Sequence, residues 1–269
     1  MSSTLSTQAL PAPPAPSLSS TDIADFTEQL TDDIHWREKE IIDLENCLLS
    51  NEPPETQQSG EESKLFDSRR KCIWVMIYAH YEGFFKNGLE MYITSINKLQ
   101  LPCKVAHSMM NTWSLSDIFD DLEKGESKDV FFRNYLPSDE IVHRISRRHR
   151  LVSELRVLEE RIVNIPESAV STHSNLDYPR LQQLLFQAGF DHNIFSKYDD
   201  KSGSTPGGKI RNLVRKRHQL AHTARSDRIS REEYDKTRQD VFSIMTDFAQ
   251  LLVDSLESKG YLRTDPTPH

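Results

Sequence analysis

CIWVMIYAHYEGFF, residues 72–85, decides the fold. The run is apolar on every side of a helix, and a helix without a polar face belongs in the centre of a helical assembly. It sits inside the longest helical signal of the chain, about Lys64 to Leu99. Two residues break its apolar character. His80 falls in line with Ile73, Ile77 and Phe84, and Glu82 falls in line with Val75, Tyr78, Phe85 and Leu89. Both polar groups lie on faces expected to be buried. Burying a carboxylate is expensive unless it is paired.

Working outward, every other readable segment is also helical. Ile23, Phe26, Leu30, Ile34, Ile41, Leu44 and Leu48 recur at helical spacing, with Thr21 or Asp22 as the cap, so residues 22–49 read as one helix or two shorter ones. Residues 101–135 read as short helices and loops, and 138–163 as a basic helix carrying Arg144, Arg147, Arg148, Arg150, Arg156 and Arg161. SNLDYPRLQQLLFQAGF gives a short helix with Asp177 as cap, Pro179 in the first turn and Gly189 as stop. KYDDKSGSTPGGK, residues 197–209, reads as a loop, and 209–224 as a second basic helix. Ser230 and Glu233 form a capping-box pattern for a last helix reaching Gly260 at its C′ position. No internal repeat or strand pattern stands out. The predicted fold is all-α, an up-and-down helical bundle. Its expected organisation is a disordered tail over 1–20, an acidic helical extension over 21–49, a polar linker over 50–62, the helical domain over 63–260 and a C-terminal tail over 261–269.

Composition limits the function classes. Of 269 residues 36% are hydrophobic and 28% charged, which fits a polar protein with part of its chain outside the core. Gly is scarce, at 9, which argues against a turn-rich β-sandwich. No run approaches the roughly 20 apolar residues of a membrane span, and the N-terminus has neither the basic nor the apolar region of a secretory signal. Cys47, Cys72 and Cys103 are odd in number and form no CxxC, which suggests reduced thiols in a cytoplasm, with Cys72 as an inert buried one. The net charge of −8 is unevenly placed: residues 1–64 hold 13 acidic and 3 basic residues, whereas the remainder holds 28 and 30. The low pI therefore says nothing against nucleic-acid binding by residues 65–269.

Chemistry concentrates in KIRNLVRKRHQLAHTARSDR, residues 209–228, with seven basic residues, two histidines and one acid. On a helix, Ile210, Leu213, Val214, Leu220 and Ala221 make an apolar stripe, while Arg211, Arg215, His218 and His222 make a second face. Arg217 falls on the apolar stripe. A guanidinium cannot be neutralised there, so it needs partners or an opening to a cleft. Glu82 is its natural counter-ion, with His80 as a further hydrogen-bond partner. The bland alternatives are a solvated basic face and a structural buried ion pair. The remaining histidines have no partner at a telling spacing, and Trp74, Phe84, Phe85 and Tyr92 read as core.

Arg217-His218-Gln219-Leu220-Ala221-His222 resembles the R-x4-6-H signature of the HEPN superfamily (higher eukaryotes and prokaryotes nucleotide-binding domain). Tyr78-Ala79-His80-Tyr81-Glu82-Gly83-Phe84 is similar to the long-helix motif of a bacterial branch tied to toxin and defence systems. The resemblance covers about residues 64–258, and residues 1–62 carry none of it.

The resemblance implies a metal-independent endoribonuclease that needs no cofactor and acts as a homodimer with a composite cleft. In this implied chemistry a ribose 2′-OH attacks the adjacent phosphate, leaving a 2′,3′-cyclic phosphate and a 5′-OH. His222 is then general base or acid, Arg217 the clamp on the phosphoryl oxygens, and His218 a phosphate-positioning group or second proton carrier. Glu82 and His80 hold Arg217 from behind. Arg211, Arg215 and Lys216 grip the RNA backbone, joined by the 144–150 basic cluster. Single-stranded or looped RNA is the expected substrate, because in-line attack needs a flexible backbone. An antitoxin or sensor is a further expected partner, and the acidic arm is expected to cover the cleft, to dimerise or to dock such a partner. Three rivals stand beside this reading. The first is a non-catalytic HEPN domain binding nucleotide, RNA or protein. The second is a metal enzyme built on His218, His222, His80 and Glu82, although Gln219 stands where H-E-x-x-H has its glutamate. The third is a scaffold.

Overall fold

A computed structural model describes residues 16–123, 134, 140–172, 175–191, 193–195, 205–223 and 228–263, without the side chains of Glu140, Glu167, His222 and Thr223. Residues 1–15 of the expected tail, most of the 197–209 loop and most of the C-terminal tail lie outside the described residues. The described chain is all-α: α1 Ser20–Leu48, α2 Gly60–Lys98, α3 Ser108–Ser114, α4 Ser116–Glu123, α5 Glu140–Glu160, α6 Tyr178–Gln187, α7 Pro206–Thr223 and α8 Arg231–Glu257. Two short 3-10 turns, Glu55–Gln57 and Glu167–Ala169, and two isolated β-bridges, Pro102 with Ile162 and Ala106 with Leu262, complete the described structure.

Local chemistry sets the helix ends, in places other than the sequence pattern suggests. Ser19, not Thr21 or Asp22, caps α1; Asp22 is its third helical residue and closes a capping box by accepting from the Ser19 backbone N–H. An equivalent box, Ser59 with Glu62, starts α2 inside the expected linker. Asp177 caps α6 as expected, and Gly189 leaves it at φ +83°. At α8 Ser230 accepts from the Glu233 N–H, without the return bond of a full box. That helix ends in a Schellman turn whose left-handed residue is Lys259, at φ +58°, with the Gly260 N–H donating to the Ser255 carbonyl.

The core forms where α1, α2 and α8 meet. Phe85 stacks on Phe248 at 4.2 Å between centroids, and Phe84 meets the same ring edge-on. Gly88 permits this contact: a Cβ there would stand 2.9 Å from the Phe248 ring. The acidic segment is a single helix that shares this core through Phe26, Leu30 and Ile41. Two of its carboxylates bind the neighbouring helices: Asp33 accepts from Asn87 of α2, and Glu45 accepts from Tyr234 and Arg238 of α8. Deleting residues 1–62 would therefore open the core. Lys209 with Asp240 and Lys216 with Glu233 run α7 antiparallel to α8, and α7 also packs on α2.

The central helix is not buried all round. Cys72, Val75 and Ala79 form a narrow exposed stripe. The Cys72 thiol is thus at the surface rather than in the core, and the buried thiol is Cys103. Among the described residues no helix is long and apolar enough to cross a membrane.

Candidate functional site

Arg217 is half-buried near the end of α7, on the stripe its spacing predicts. Its partners differ from the expected ones. The guanidinium Nη1 donates to Asn175 Oδ1 at 2.7 Å, and its carbon lies 5.0 Å over the ring of Tyr78 on α2. Arginine only donates, which fixes the Asn175 oxygen toward it. The Tyr78 hydroxyl accepts the Leu176 N–H at 3.0 Å and donates a longer bond, 3.4 Å, to the same Asn175 oxygen. Burial, with the Glu82 carboxylate second, pushes the Tyr78 phenol up to about 12, so this hydroxyl keeps its proton at every cellular pH. Three elements therefore meet at one guanidinium: α7, which carries it, α2 through the Tyr78 ring, and the loop before α6 through Asn175. Cation–π contact and a charge-assisted hydrogen bond together replace the expected carboxylate.

No ion pair joins Glu82 to Arg217 among the described residues; Glu82 reaches the site through Tyr78. His80 takes no part. Its ring is buried against α1, edge-on to Trp36 at 5.7 Å, with Nε2 3.3 Å from Glu40 Oε2 but not aligned for a hydrogen bond. Burial lowers its pKa, opposed by Glu40. The reason is rotational: along α2, two residues turn a side chain by about 200°, so His80 and Glu82 cannot serve one partner.

On the outer side of α7, Arg211, Arg215 and His218 are exposed. The Arg211 guanidinium rests 5.0 Å over the Tyr178 ring. His222 lies on α7 one turn beyond His218; its side chain is outside the described set. Lys216 departs from expectation, since its Nζ donates to the Arg228 carbonyl at 3.2 Å and stands 3.5 Å from Glu233. Its ammonium is engaged within the chain, while its side chain also lines the neighbouring cleft. Beside the site, α7 and α8 enclose a cleft of about 220 Å³ over Trp74 and Val241, its charged lining made of Lys209, Arg215, Lys216 and Lys236 with Glu233 and Asp240. Lys209 is paired with Asp240 and Lys216 with Glu233. Among the described residues no three His, Cys, Asp or Glu side chains converge as metal ligands; of the set His218, His222, His80 and Glu82, the two residues of α2, His80 and Glu82, turn to different faces of that helix.

Sequence reasoning missed Asn175, which sits in a loop without periodicity. It also missed a clamp on the chain that follows α7. Asp67 accepts the Ile229 N–H at 2.7 Å, and Arg70 donates Nε to the Ile229 carbonyl at 2.7 Å. Arg70 also binds Glu52, which takes Arg231 at 3.2 Å. The signal was available: Asp67 and Arg70 are polar residues one turn apart on a helix expected to be central.

A family model described as MAE_28990-like HEPN matches residues 26–261. It begins inside α1, so the match takes in most of the acidic helix as well as α2–α8. No curated protein and no solved structure matches the chain.

Proposed function

This chain belongs to the MAE_28990-like HEPN family, and on that premise we propose that it is a metal-independent RNA endonuclease. The supporting observation is the placement of Arg217: a permanent cation fixed by Asn175 and Tyr78, on the helix that carries His218 and His222. A fixed donor costs no reorganisation when charge develops on a phosphoryl oxygen, which is the main requirement of the step.

In this reading RNA lies along the exposed side of α7. Arg217 binds a non-bridging oxygen of the scissile phosphate. His222 takes the proton of the ribose 2′-OH, the 2′ oxygen attacks phosphorus, and the P–O5′ bond breaks. A second imidazole, His218 or His222 of the other protomer in a composite cleft, returns a proton to the 5′ oxygen. The products are a 2′,3′-cyclic phosphate and a 5′-OH, with no cofactor consumed. Arg211 and Arg215 bind flanking phosphates; Lys216, held by Glu233 and Arg228, is removed from that set. Tyr78, its pKa raised first by burial and then by Glu82, keeps its proton beneath Arg217, and His80 anchors α1. Toxin or antiviral-defence action, a cytoplasmic location and control by an antitoxin or sensor complete the proposal.

The experiment is cleavage of a mixed RNA pool with EDTA present, wild type beside Arg217→Ala and His222→Ala. Cleavage by wild type alone, leaving 2′,3′-cyclic ends, supports the reading; loss of one transition-state donor should slow the step by about 100-fold or more. RNA binding by wild type with no cleavage under any condition would move the chain to the non-catalytic branch, and cleavage abolished by EDTA would point to the metal enzyme.

A further inference from the structure

Two ion pairs cross between α7 and α8: Lys209 with Asp240 at 2.6 Å, and Lys216 with Glu233 at 3.5 Å. The paired residues are seven apart on each helix, so the two pairs stand about 10 Å from each other along the helices. All four side chains line the cleft of about 220 Å³ beside the site. Between the pairs in sequence, α7 contributes Asn212 to the lining and α8 contributes Lys236 and Thr237. The apolar part of the lining, Trp74, Leu213, Val241 and Ile244, is buried. The cleft is thus an apolar trough gated at two points by ion pairs.

The pairs engage two of its four cations and both of its carboxylates. Arg215 and Lys236 remain, and neither meets a carboxylate among the described residues. An anion that enters therefore finds positive charge that is not already neutralised. A second group is also unmet. Tyr81 lines the same cleft and is wholly buried, and its hydroxyl has no hydrogen-bond partner. A buried hydroxyl left unpaired is costly and rare in folded proteins. Size narrows the class of ligand. The volume exceeds the roughly 150 Å³ of a cavity that holds benzene, and it falls short of the roughly 300–1,000 Å³ of pockets for drug-sized molecules. One ring bearing a carboxylate fits; a mononucleotide, with base, sugar and phosphate, does not.

We propose that this cleft is a binding site for a small aromatic monocarboxylate with a polar group on its ring. The carboxylate lies on Lys236 and Arg215, the ring lies against Trp74 between the two ion pairs, and the polar group of the ring meets the Tyr81 hydroxyl. An aromatic ring suits the trough better than a branched chain, because the Trp74 indole offers it a face or an edge. The ion pairs set the specificity: Asp240 and Glu233 hold Lys209 and Lys216, so one carboxylate is matched by the two remaining cations, whereas a ligand without charge leaves both unmet. The ligand binds α7, the helix that carries Arg217, without occupying the Arg217 site. The proposal does not depend on the ribonuclease reading, because it is tested without RNA. Arg215 is left unaltered in the test, since that reading assigns it to RNA.

The test is calorimetric titration of para-hydroxybenzoate into the full chain, with circular dichroism confirming that each variant keeps its helices. Wild type is expected to bind one molecule with a Kd of about 1 mM or tighter, the range open to so small a ligand. Benzoate, without the hydroxyl, should bind about fivefold more weakly, and neutral para-hydroxybenzamide about tenfold more weakly. Lys236→Glu, at an exposed position, should weaken para-hydroxybenzoate by about tenfold or more and admit the cation para-hydroxybenzylamine in its place. Tyr81→Phe should erase the preference for the hydroxylated acid. Thr237→Trp, which fills the trough from its half-buried wall, should abolish binding. A wild type that binds none of these acids would overturn the proposal, as would a folded Lys236→Glu or Thr237→Trp chain that binds as wild type, or a preference for the hydroxyl that survives Tyr81→Phe. Inorganic phosphate or AMP bound as tightly as the ring acid would also overturn it, and would make the cleft a plain anion site or part of an RNA surface.

Discussion

Asn175 Oδ1 accepts a 2.7 Å hydrogen bond from Arg217, joining the loop before α6 to the end of α7 across 42 residues of sequence. The bond fixes one end of the guanidinium while the Tyr78 ring fixes its plane. Asn175→Ala removes the only neutral acceptor in that arrangement and frees the group to swing over the ring. In single-turnover cleavage we expect a loss of about 10- to 100-fold, the scale of a misplacement near 1 Å, with thermal stability little changed. Asn175→Asp, which keeps an acceptor oxygen in place, should recover part of the loss. An Asn175→Ala chain that cleaves at the wild-type rate would remove Asn175 from the site.

Tyr78 has a second duty, as acceptor of the buried Leu176 N–H at 3.0 Å. Tyr78→Phe leaves that donor without a partner, at a cost of about 1–3 kcal/mol, and should lower Tm by several degrees. A pH dependence follows from the raised phenol. The folded value of about 12 lies above the ordinary 10, so the folded state holds this proton more tightly than the unfolded one. The resulting stability is complete below pH 10 and is lost as pH rises toward 12. Tyr92 and Tyr234 are raised in the same direction, mainly by burial. Denaturant titrations at rising alkaline pH should show a steep loss of stability in the wild type and a shallower one in Tyr78→Phe; equal slopes would contradict the assignment.

Much of the fold was legible because it rests on local rules. The 72–85 run, the Asp177 cap with Pro179 and Gly189, and the Ser230 start all describe neighbours in sequence. Arg217 was legible as an anomaly for the same reason, since helical spacing alone puts it on an apolar stripe. Its partner was not. Spacing states which face a residue occupies, and the choice among Glu82, His80 and Asn175 belongs to the packing of α7 against α2. Likewise, no rule of spacing within α7 reveals that Glu233 of α8 captures Lys216, or that solvent reaches Cys72 and Val75 along one line of an otherwise buried helix. Residues 22–49 read as acidic and hence peripheral because charge counts dominate their composition; three buried residues, Phe26, Leu30 and Ile41, suffice to seat the helix in the core.

Arg70 ties three segments together: the 49–59 connection through Glu52, α2 itself, and the start of α8 through the Ile229 carbonyl. Both Arg70 and Glu52 are almost wholly buried. Arg70→Ala leaves a buried carboxylate with Arg231 as its remaining cation and an unmet carbonyl, so a loss of about 3–5 kcal/mol is expected. The double change Arg70→Met/Glu52→Gln removes the charge together with its partner and should cost less. Chemical denaturation of both variants decides; a double variant less stable than Arg70→Ala would show that the ion pair itself, rather than the burial of an unpaired charge, dominates.

Gly88 gives the sharpest packing prediction. It lies where α2 crosses α8, and an added Cβ would stand 2.9 Å from the Phe248 ring and 3.3 Å from Leu252 Cδ1. Replacing glycine by alanine in the middle of a helix normally stabilises by about 0.5–1 kcal/mol through backbone entropy. Here the ring is pinned by its stack on Phe85 at 4.2 Å, so it cannot withdraw without breaking that contact. Overpacking should dominate, and Gly88→Ala should destabilise by about 1–3 kcal/mol. Adding Phe248→Leu would shrink the side chain that the methyl meets, so the double variant should lose less than the sum of the two single changes. A Gly88→Ala chain more stable than wild type would mean that α2 and α8 stand farther apart than this packing requires.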